Sequence, residues 1–458
     1  MIRVANHRIV HCIGIGGIGM SALAELLHGI GYAVSGSDRE ASSITRRLAE
    51  LGVSIQVGHQ VDLVKRADLV IYSSAVLPQN AERRYAEENG MTIMRRAEVL
   101  GQISAAYFCI GVSGTHGKTT TTALCGHLLR EAGRKPTVLV GGILNPHDTN
   151  VLVENGNILV AEADEFDRSF LAMHPSIAII TNIEADHLEC YGSLEAIRAA
   201  FIQYANSVPF YGSVVACIDD PGVVAILPDI NVPVVTYGFS PQADYRTERI
   251  TMVDGRPVYA VIKRGQTLGT IKLGVCGRHN VLNSLAAIAS SMELGVAFDV
   301  LATACTTFAG VKRRFEIVAE RAGIAVIDDY AHHPSEISAT LSCARDAGYS
   351  RRIAVFQPHL YSRTRDLLQE FGRCLLDCDI AVVTGIYQSR ETPIEGVSGK
   401  AIAEICAKSG HPAVHYVEHA ADAVDLLLPQ LKAGDALICM GAGDIWKTAR
   451  LFGERIAV

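Results

Sequence analysis

The chain has 458 residues, 49% of them hydrophobic and 19% charged, with a net charge of −7. That length allows about three domains, each with its own core, and excludes any need for disulfides or a structural metal; the composition excludes general disorder. With 41 Lys+Arg against 48 Asp+Glu, there is no basic excess to hold a polyanion, so nucleic acid is not expected as a partner.

In chain order, residues 9–34 come first and are apolar enough to suggest a membrane helix or signal peptide. They carry His11, Glu25, His28 and glycines at 14, 16, 17 and 19, and no small-residue cleavage site follows. The expectation is a cytoplasmic protein without membrane insertion, a monomer or weak homodimer. None of the twelve cysteines forms a CxxC pair. They are expected to be buried small hydrophobes, not bridges or zinc ligands.

One local pattern recurs: an apolar run, a glycine or polar turn, then a helix-like stretch. The runs are Ile9–Ile13, Phe108–Val112, Ile158–Val160, Ile177–Ile180, Ala325–Ile327, Ile353–Phe356, Ile380–Val383 and Ala436–Cys439. Such alternation predicts an α/β fold with mostly parallel sheets, in which ligands bind beyond the carboxyl ends of strands. Domains are expected at 1–105, 106–311 and 312–458. Residues 210–275 read as short strands with turns, suiting an antiparallel edge of the middle domain.

Gly14-Ile15-Gly16-Gly17-Ile18-Gly19 fits GxGxxG between a strand and a helix beginning near Ile18. Glycines there let the backbone approach phosphate oxygens, and the helix start offers N–H groups. Asp38 follows a second strand-like run, where an acid can accept from a ribose or base. The loop points to a diphosphate without saying which nucleotide carries it. Next, Gly114-Thr115-His116-Gly117-Lys118-Thr119 joins the strand at 108 to a helix over Thr119–Glu131. Val112 stands where the strict GxxxxGK[ST] pattern has glycine, yet the acting parts remain. Backbone N–H groups cradle phosphates, Lys118 reaches the terminal ones, and Thr119 offers a hydroxyl to Mg²⁺. ATP and Mg²⁺ are therefore expected.

Glu162, Asp164, Glu165 and Asp167 crowd after the next strand. A solvated acidic turn is the plain alternative; Glu162, closing an apolar strand downstream of a phosphate loop, favours a metal. Asp186-His187 after Ile177–Ile180 suits a second metal or phosphate contact, against a structural histidine. In the last third, Asp328-Asp329-Tyr330-Ala331-His332-His333, then Gln357-Pro358-His359 with Arg363, and Gly441-Ala442-Gly443-Asp444 each follow a strand. They predict a concave, cationic site, with Arg363 able to grip a carboxylate or phosphate through two N–H groups.

Together GIGGIGMS (14–21), GTHGKTTT (114–121), EADEFD (162–167), TNIEADH (181–187), GRHNVLNSLAA (277–287), KRRFE (312–316), DDYAHHPSE (328–336) and QPHLYSRTRD (357–366) make the chain resemble the Mur ligases of peptidoglycan synthesis. The resemblance runs from Ile9 to about Gly443. It implies a Rossmann-like first domain holding the UDP part of a sugar nucleotide, an ATPase-like middle domain, and a Rossmann-like third domain closing over ATP and the amino acid. It implies ATP-driven joining of L-alanine to UDP-N-acetylmuramate. By the same resemblance, Gly114, Thr115, His116, Gly117, Lys118, Thr119 and Thr120 hold phosphate, Glu162 and His187 the metals, and Asn280 and Asn283 the adenine side. Arg314 and Asp329 reach the ATP. Gly14, Gly16, Gly17, Gly19, Met20, Ser21, Asp38 and Ser74 take the sugar nucleotide, and His332, His359 and Arg363 the amino-acid side.

Two departures stand out. Many relatives have arginine where this chain has Leu360, which leaves Arg363 as the carboxylate clamp. Other branches carry a carbamylated lysine where this chain reads Arg198-Ala199-Ala200-Phe201, so no carbamate is expected. Three other readings are weighed. A ligase attaching a recycled peptide usually lacks the pattern met by His359 and Arg363-Thr364. An NAD-dependent dehydrogenase leaves Lys118-Thr119 unexplained. A non-catalytic sensor of UDP-sugar and ATP has no use for Lys118, Glu162 and His187 together.

Overall fold

A computed structural model describes residues 9–389 and 391–456. The chain forms two compact units. One comprises the chain up to Arg249 with Tyr259–Ile271 and Leu282–Ala309; the other comprises Ile250–Val258, Lys272–Val281 and the chain from Gly310.

The first unit opens with a five-stranded parallel sheet of β1 (Ile9–Ile13), β2 (Ala33–Asp38), β3 (Ser54–Val57), β4 (Leu69–Tyr72) and β5 (Thr92–Arg95), in the order β3-β2-β1-β4-β5. The order reverses beside β1, so the glycine loop leaves the sheet where a crevice opens. Helix Ile18–Gly29 buries Met20, Ala22, Leu23, Leu26 and Leu27. Val10 and Cys12 face one core, and Ile13 faces another with Val64, Val70 and Ala86. Both faces are covered, which is why these strands read as continuous apolar runs.

The second sheet is built from β6 (Phe108–Ser113), β7 (Thr137–Leu144), β8 (Thr149–Leu152), β9 (Ile158–Glu162), β10 (Ile177–Ile180), β11 (Ser213–Cys217), β12 (Val234–Gly238) and β13 (Tyr245–Arg246). The order is β8-β7-β9-β6-β10-β11-β12-β13. The phosphate-loop strand β6 lies between β9 and β10, in parallel register with both. Ile110, Val112, Ile179 and Ile180 have no exposed surface; such burial stabilises by roughly 1.5–3 kcal/mol per side chain. The expected antiparallel edge over 210–275 is only partly present. β11, β12 and β13 continue the parallel sheet, and antiparallel pairing begins where β15 (Arg256–Lys263) meets β13 and β14 (Thr251–Val253). Short strands with nearby turns looked antiparallel, but helix Pro221–Ile226 supplies a crossover between β11 and β12. A last strand of this region, β16 (Gln266–Lys272), pairs with β15.

The third sheet lies in the second unit: β17 (Glu316–Arg321), β18 (Ile324–Asp329), β19 (Arg351–Phe356), β20 (Ile380–Thr384), β21 (Val414–Val417) and β22 (Asp435–Met440), ordered β17-β18-β22-β19-β20-β21. All pairs are parallel except β17 with β18. Two apolar cores flank it, one with Ile327, Phe356 and Val383, the other with Val326, Val355 and Val382. The alternation of neighbours between cores is the two-residue period of a strand.

Nine of the ten free cysteines are buried, as expected. Cys276 and Cys343 depart from the expectation: they pair as a disulfide, with Cα atoms 6.1 Å apart. Sixty-seven residues separate them in sequence, and spacing alone does not reveal which Cβ vectors meet. Among the described residues, no helix is long and apolar enough to cross a membrane.

Candidate functional site

The glycine loop is held from beneath by the end of β2. The Ser37 carbonyl accepts the N–H groups of Gly14 (2.8 Å) and Ile15 (2.9 Å), and Asp38 Oδ2 accepts that of Gly16 (2.8 Å). Gly14 has φ 76°, where a side chain would be strained. These N–H groups are spent internally. The donors left for an anion are the first-turn amides of helix Ile18–Gly29. Asp38, expected to face a ribose or base, uses one carboxylate oxygen to tie the loop.

A cleft of about 320 Å³ opens beside that helix start. Gly14, Gly17, Gly19 and Met20 line it, as do Arg96, Gly141, Glu162 and Asp164. Arg96 was not expected. A Cβ on Gly19 would stand 3.1 Å from an Arg96 guanidinium nitrogen, so the cation lies against the loop. Two other expected contacts, Ser74 and Ser21, do not line the cleft. Ser74 is exposed, and its neighbour Ser73 lines the cleft instead. Ser21 is buried, donates to Ile18 O (2.9 Å) and meets Asn150 Nδ2 (3.0 Å).

The second loop turns between β6 and helix Lys118–Glu131 with Gly114 at φ 129° and Gly117 at φ 83°. Thr181 and Asn182, at the end of β10, hold it: Thr181 Oγ1 donates to His116 O (2.6 Å), and Asn182 Oδ1 accepts His116 N–H (2.7 Å). Thr115 Oγ1 accepts the Glu184 amide at 2.9 Å, and His116 Nε2 lies 3.6 Å from Glu184 Oε2. Lys118 Nζ donates to Gly114 O, Thr115 O and both oxygens of Glu165. Thr120 is half-buried on the first helical turn. A Cβ on Gly117 would come 2.7 Å from Asn283 Oδ1, which places Asn283 against the loop. Asn280 donates to Cys276 O (2.7 Å).

Glu162 ends β9 and accepts from Gly141 N–H (2.7 Å) and from the Thr119 hydroxyl. Burial pushes its carboxyl up; the Gly141 bond and the Lys118 charge pull it back. A hydroxyl and a carboxylate in contact beside a phosphate-loop lysine are the hard oxygen donors that Mg²⁺ takes, so these residues fit that ion. His187 adopts φ 56° and lies edge-on to Phe166 of the acidic turn, ring centroids 5.2 Å apart. Its Nε2 is 3.7 Å from Asp186. The crowded acids separate by role: Glu165 pairs with Lys118, Glu162 with Thr119, and Asp167 is exposed.

In the second unit, Asp329 ends β18, and Gln357 and Gly441 follow the neighbouring strands β19 and β22. Asp329 accepts from Phe315 N–H (2.7 Å) and Ala331 N–H (2.8 Å). Arg313 and Arg314 lie over the Tyr330 ring at 5.0 and 5.4 Å; Arg313 meets Asp328 at 3.3 Å and Arg314 meets Glu336 at 3.5 Å. The expected cationic edge is thus mixed in charge. Burial pushes Asp328 and Asp329 up to about 6 against the pull of these arginines. His332, His359 and Arg363 do come together: the rings are edge-on at 6.1 Å, and Arg363 Nη1 is 3.4 Å from His359 Nδ1. Tyr387, which sequence reasoning missed, stacks on His359 at 5.8 Å. Leu360 is buried at φ 72°.

The fold and the two loops define a nucleotide-dependent enzyme of the α/β class, and comparison with known proteins gives its family. Residues 9–108 match the family described as "Mur ligase family, catalytic domain", residues 112–291 "Mur ligase middle domain", and residues 313–443 "Mur ligase, glutamate ligase domain". The chain is 48% identical to the UDP-N-acetylmuramate–L-alanine ligase of Salinibacter ruber, over 98% of this chain and 94% of that one. It is 44% identical to the enzyme of the same name from Syntrophobacter fumaroxidans, over 96% and 95%. The crystal structure of the UDP-N-acetylmuramate-alanine ligase of Thermotoga maritima superimposes with a TM-score of 0.84 at 33% identity, covering 98% of this chain and 99% of that one. The chain belongs to the Mur ligase family.

Proposed function

We propose that this protein joins L-alanine to the lactyl carboxylate of UDP-N-acetylmuramate, converting ATP to ADP and phosphate, in the cytoplasm as a step of peptidoglycan precursor synthesis. The observation that carries the reading is the single cleft in which the glycine loop and Arg96 face Gly141, Glu162 and Asp164. A sugar nucleotide whose diphosphate rests on the helix start extends its acyl end toward the carboxylates beside Lys118 and Thr119. Relatives bearing that activity in their names, at 43–48% identity, support the substrates. We assign residues 1–105, 106–311 and 312–458 to the sugar nucleotide, ATP and amino-acid domains.

Amide formation from a free carboxylate is uphill in water, so the carboxylate must be activated. A lactyl oxygen attacks the γ-phosphorus of ATP, and the bond to ADP breaks, leaving an acyl phosphate. The amine of alanine then attacks the acyl carbon, phosphate leaves, and the proton shed by the ammonium passes to a base, for which His187 and His332 are chemically suited. Both partners of the first step are anions. Lys118 and Arg314 supply fixed positive charge, and such preorganised groups contribute on the order of 2.7–4 kcal/mol each to the transition state. Thr119, Glu162 and His187 would hold Mg²⁺, which adds charge neutralisation when bound. Asn283 flanks the phosphate loop; His359 and Arg363 would take the alanine carboxylate.

Incubating the pure protein with UDP-N-acetylmuramate, ATP, Mg²⁺ and single amino acids, with mass spectrometry of products, tests the reading. Phosphate release is expected only with all three substrates. Steady ATP hydrolysis without the sugar nucleotide overturns it, and preference for a tripeptide over L-alanine reassigns the amine.

A further inference from the structure

Behind the glycine loop lies a polar network that the proposed chemistry does not use. The side chain of Glu82 has no exposed surface. It sits in the first turn of helix Ala81–Glu88, whose start Asn80 caps by accepting the Glu82 and Arg83 amides at 3.0 and 3.1 Å. One carboxylate oxygen lies 3.1 Å from His11 Nε2. The other lies 2.8 Å from His59 Nδ1 and accepts the Ser37 hydroxyl. His11 Nδ1 is in turn 2.9 Å from Ser35 Oγ, and Ser37 Oγ is 3.0 Å from His59 Nδ1.

Taking a carboxylate out of water is costly unless its lone pairs are met. Burial would push Glu82 up, but the bonds from His11, Ser37 and His59 hold it below the usual carboxylate range. Such a fully met network fixes its members in one arrangement. Here it fixes the end of β2, because Ser37 is the residue whose carbonyl takes the Gly14 and Ile15 amides, and the next residue, Asp38, takes that of Gly16.

We propose that Glu82 is the positioning residue of the diphosphate loop: through Ser37 and His59 it fixes the strand end from which the loop hangs, and so sets affinity for the sugar nucleotide without touching it. The proposal rests on the reading that this loop receives UDP-N-acetylmuramate. Glu82→Gln keeps the shape but puts a donor where one of two acceptors stood. The expected result is a rise of about tenfold or more in KM and in the directly measured Kd for UDP-N-acetylmuramate, with Kd for ATP and kcat at saturation within about twofold. Hydrogen exchange at Gly14, Ile15 and Gly16 should speed up in the variant.

An unchanged sugar-nucleotide Kd in folded Glu82→Gln overturns the proposal, and so does an equal loss for ATP. If Glu82→Gln does not fold, Ser37→Ala removes one link and should show the same selective rise; unchanged affinity there overturns the proposal too. Wild-type protein that fails to bind UDP-N-acetylmuramate overturns the functional reading and this proposal with it. Normal binding by wild type and by both variants overturns the positioning role alone.

Discussion

The ammonium of Lys118 lies 3.0 and 2.8 Å from the two carboxylate oxygens of Glu165. Burial would push that lysine down, but Glu165 and Asp164 more than compensate and keep it charged. The lysine is thus held as a cation by an acid three residues beyond Glu162. Replacing Glu165 by alanine removes one partner of a buried pair. A stability loss on the order of 3–5 kcal/mol is expected. Saturating Mg-ATP offers Lys118 new anionic partners, so it should raise the variant's Tm by more than it raises that of wild type. Equal shifts in a thermal-melt comparison would deny the pairing its role.

Lys118→Ala should reduce ligation by on the order of 10²–10³-fold or more while UDP-N-acetylmuramate still binds. Turnover close to wild type, measured by phosphate release, would remove the loop lysine from the mechanism.

Glu162→Gln keeps an acceptor for Gly141 but loses the charge beside Thr119. The Mg²⁺ concentration for half-maximal activity should rise about tenfold or more. A superimposable Mg²⁺ titration would show that Glu162 is not a metal ligand.

Arg96→Ala removes the cation against Gly19. A charge-assisted hydrogen bond contributes about 1.5–3 kcal/mol, so the Kd for the sugar nucleotide should rise by roughly ten- to a hundredfold, with little effect on ATP. Calorimetry with each ligand separates the two outcomes.

Asp328 is raised from the usual 3.8 to about 6, chiefly by burial. A folded-state pKa above the unfolded one favours the protonated form. The contribution is therefore fully present below about pH 4 and is lost as pH rises through about 6. Asp328→Asn mimics the protonated acid. Its stability relative to wild type should therefore improve between pH 4 and 7, by on the order of 1–3 kcal/mol. A relative stability that is flat or falling over that window, measured by denaturant melts, would contradict the assignment.

The strands were legible because both faces of each sheet are covered: apolar runs such as Ile177–Ile180 coincide with β10. The two loops were legible because glycine spacing and the Lys-Thr pair lie within a few residues. Arg96 was not, since it is distant in sequence from the loop it touches and opens an ordinary helix, Arg96–Ala105. Glu82 and Tyr387 were invisible for the same reason: their partners, Ser37 and His59 for one and His359 for the other, are brought close only by tertiary packing. The partner of Glu165 is not legible either, because crowding of acids in sequence says nothing about which oxygen turns toward a cation.

A Cβ at Gly117 would come 2.7 Å from the Asn283 amide oxygen, at a φ of 83° that side chains rarely adopt. Any larger residue at 117 would therefore have to turn the Asn283 amide aside and strain the backbone of the turn at once.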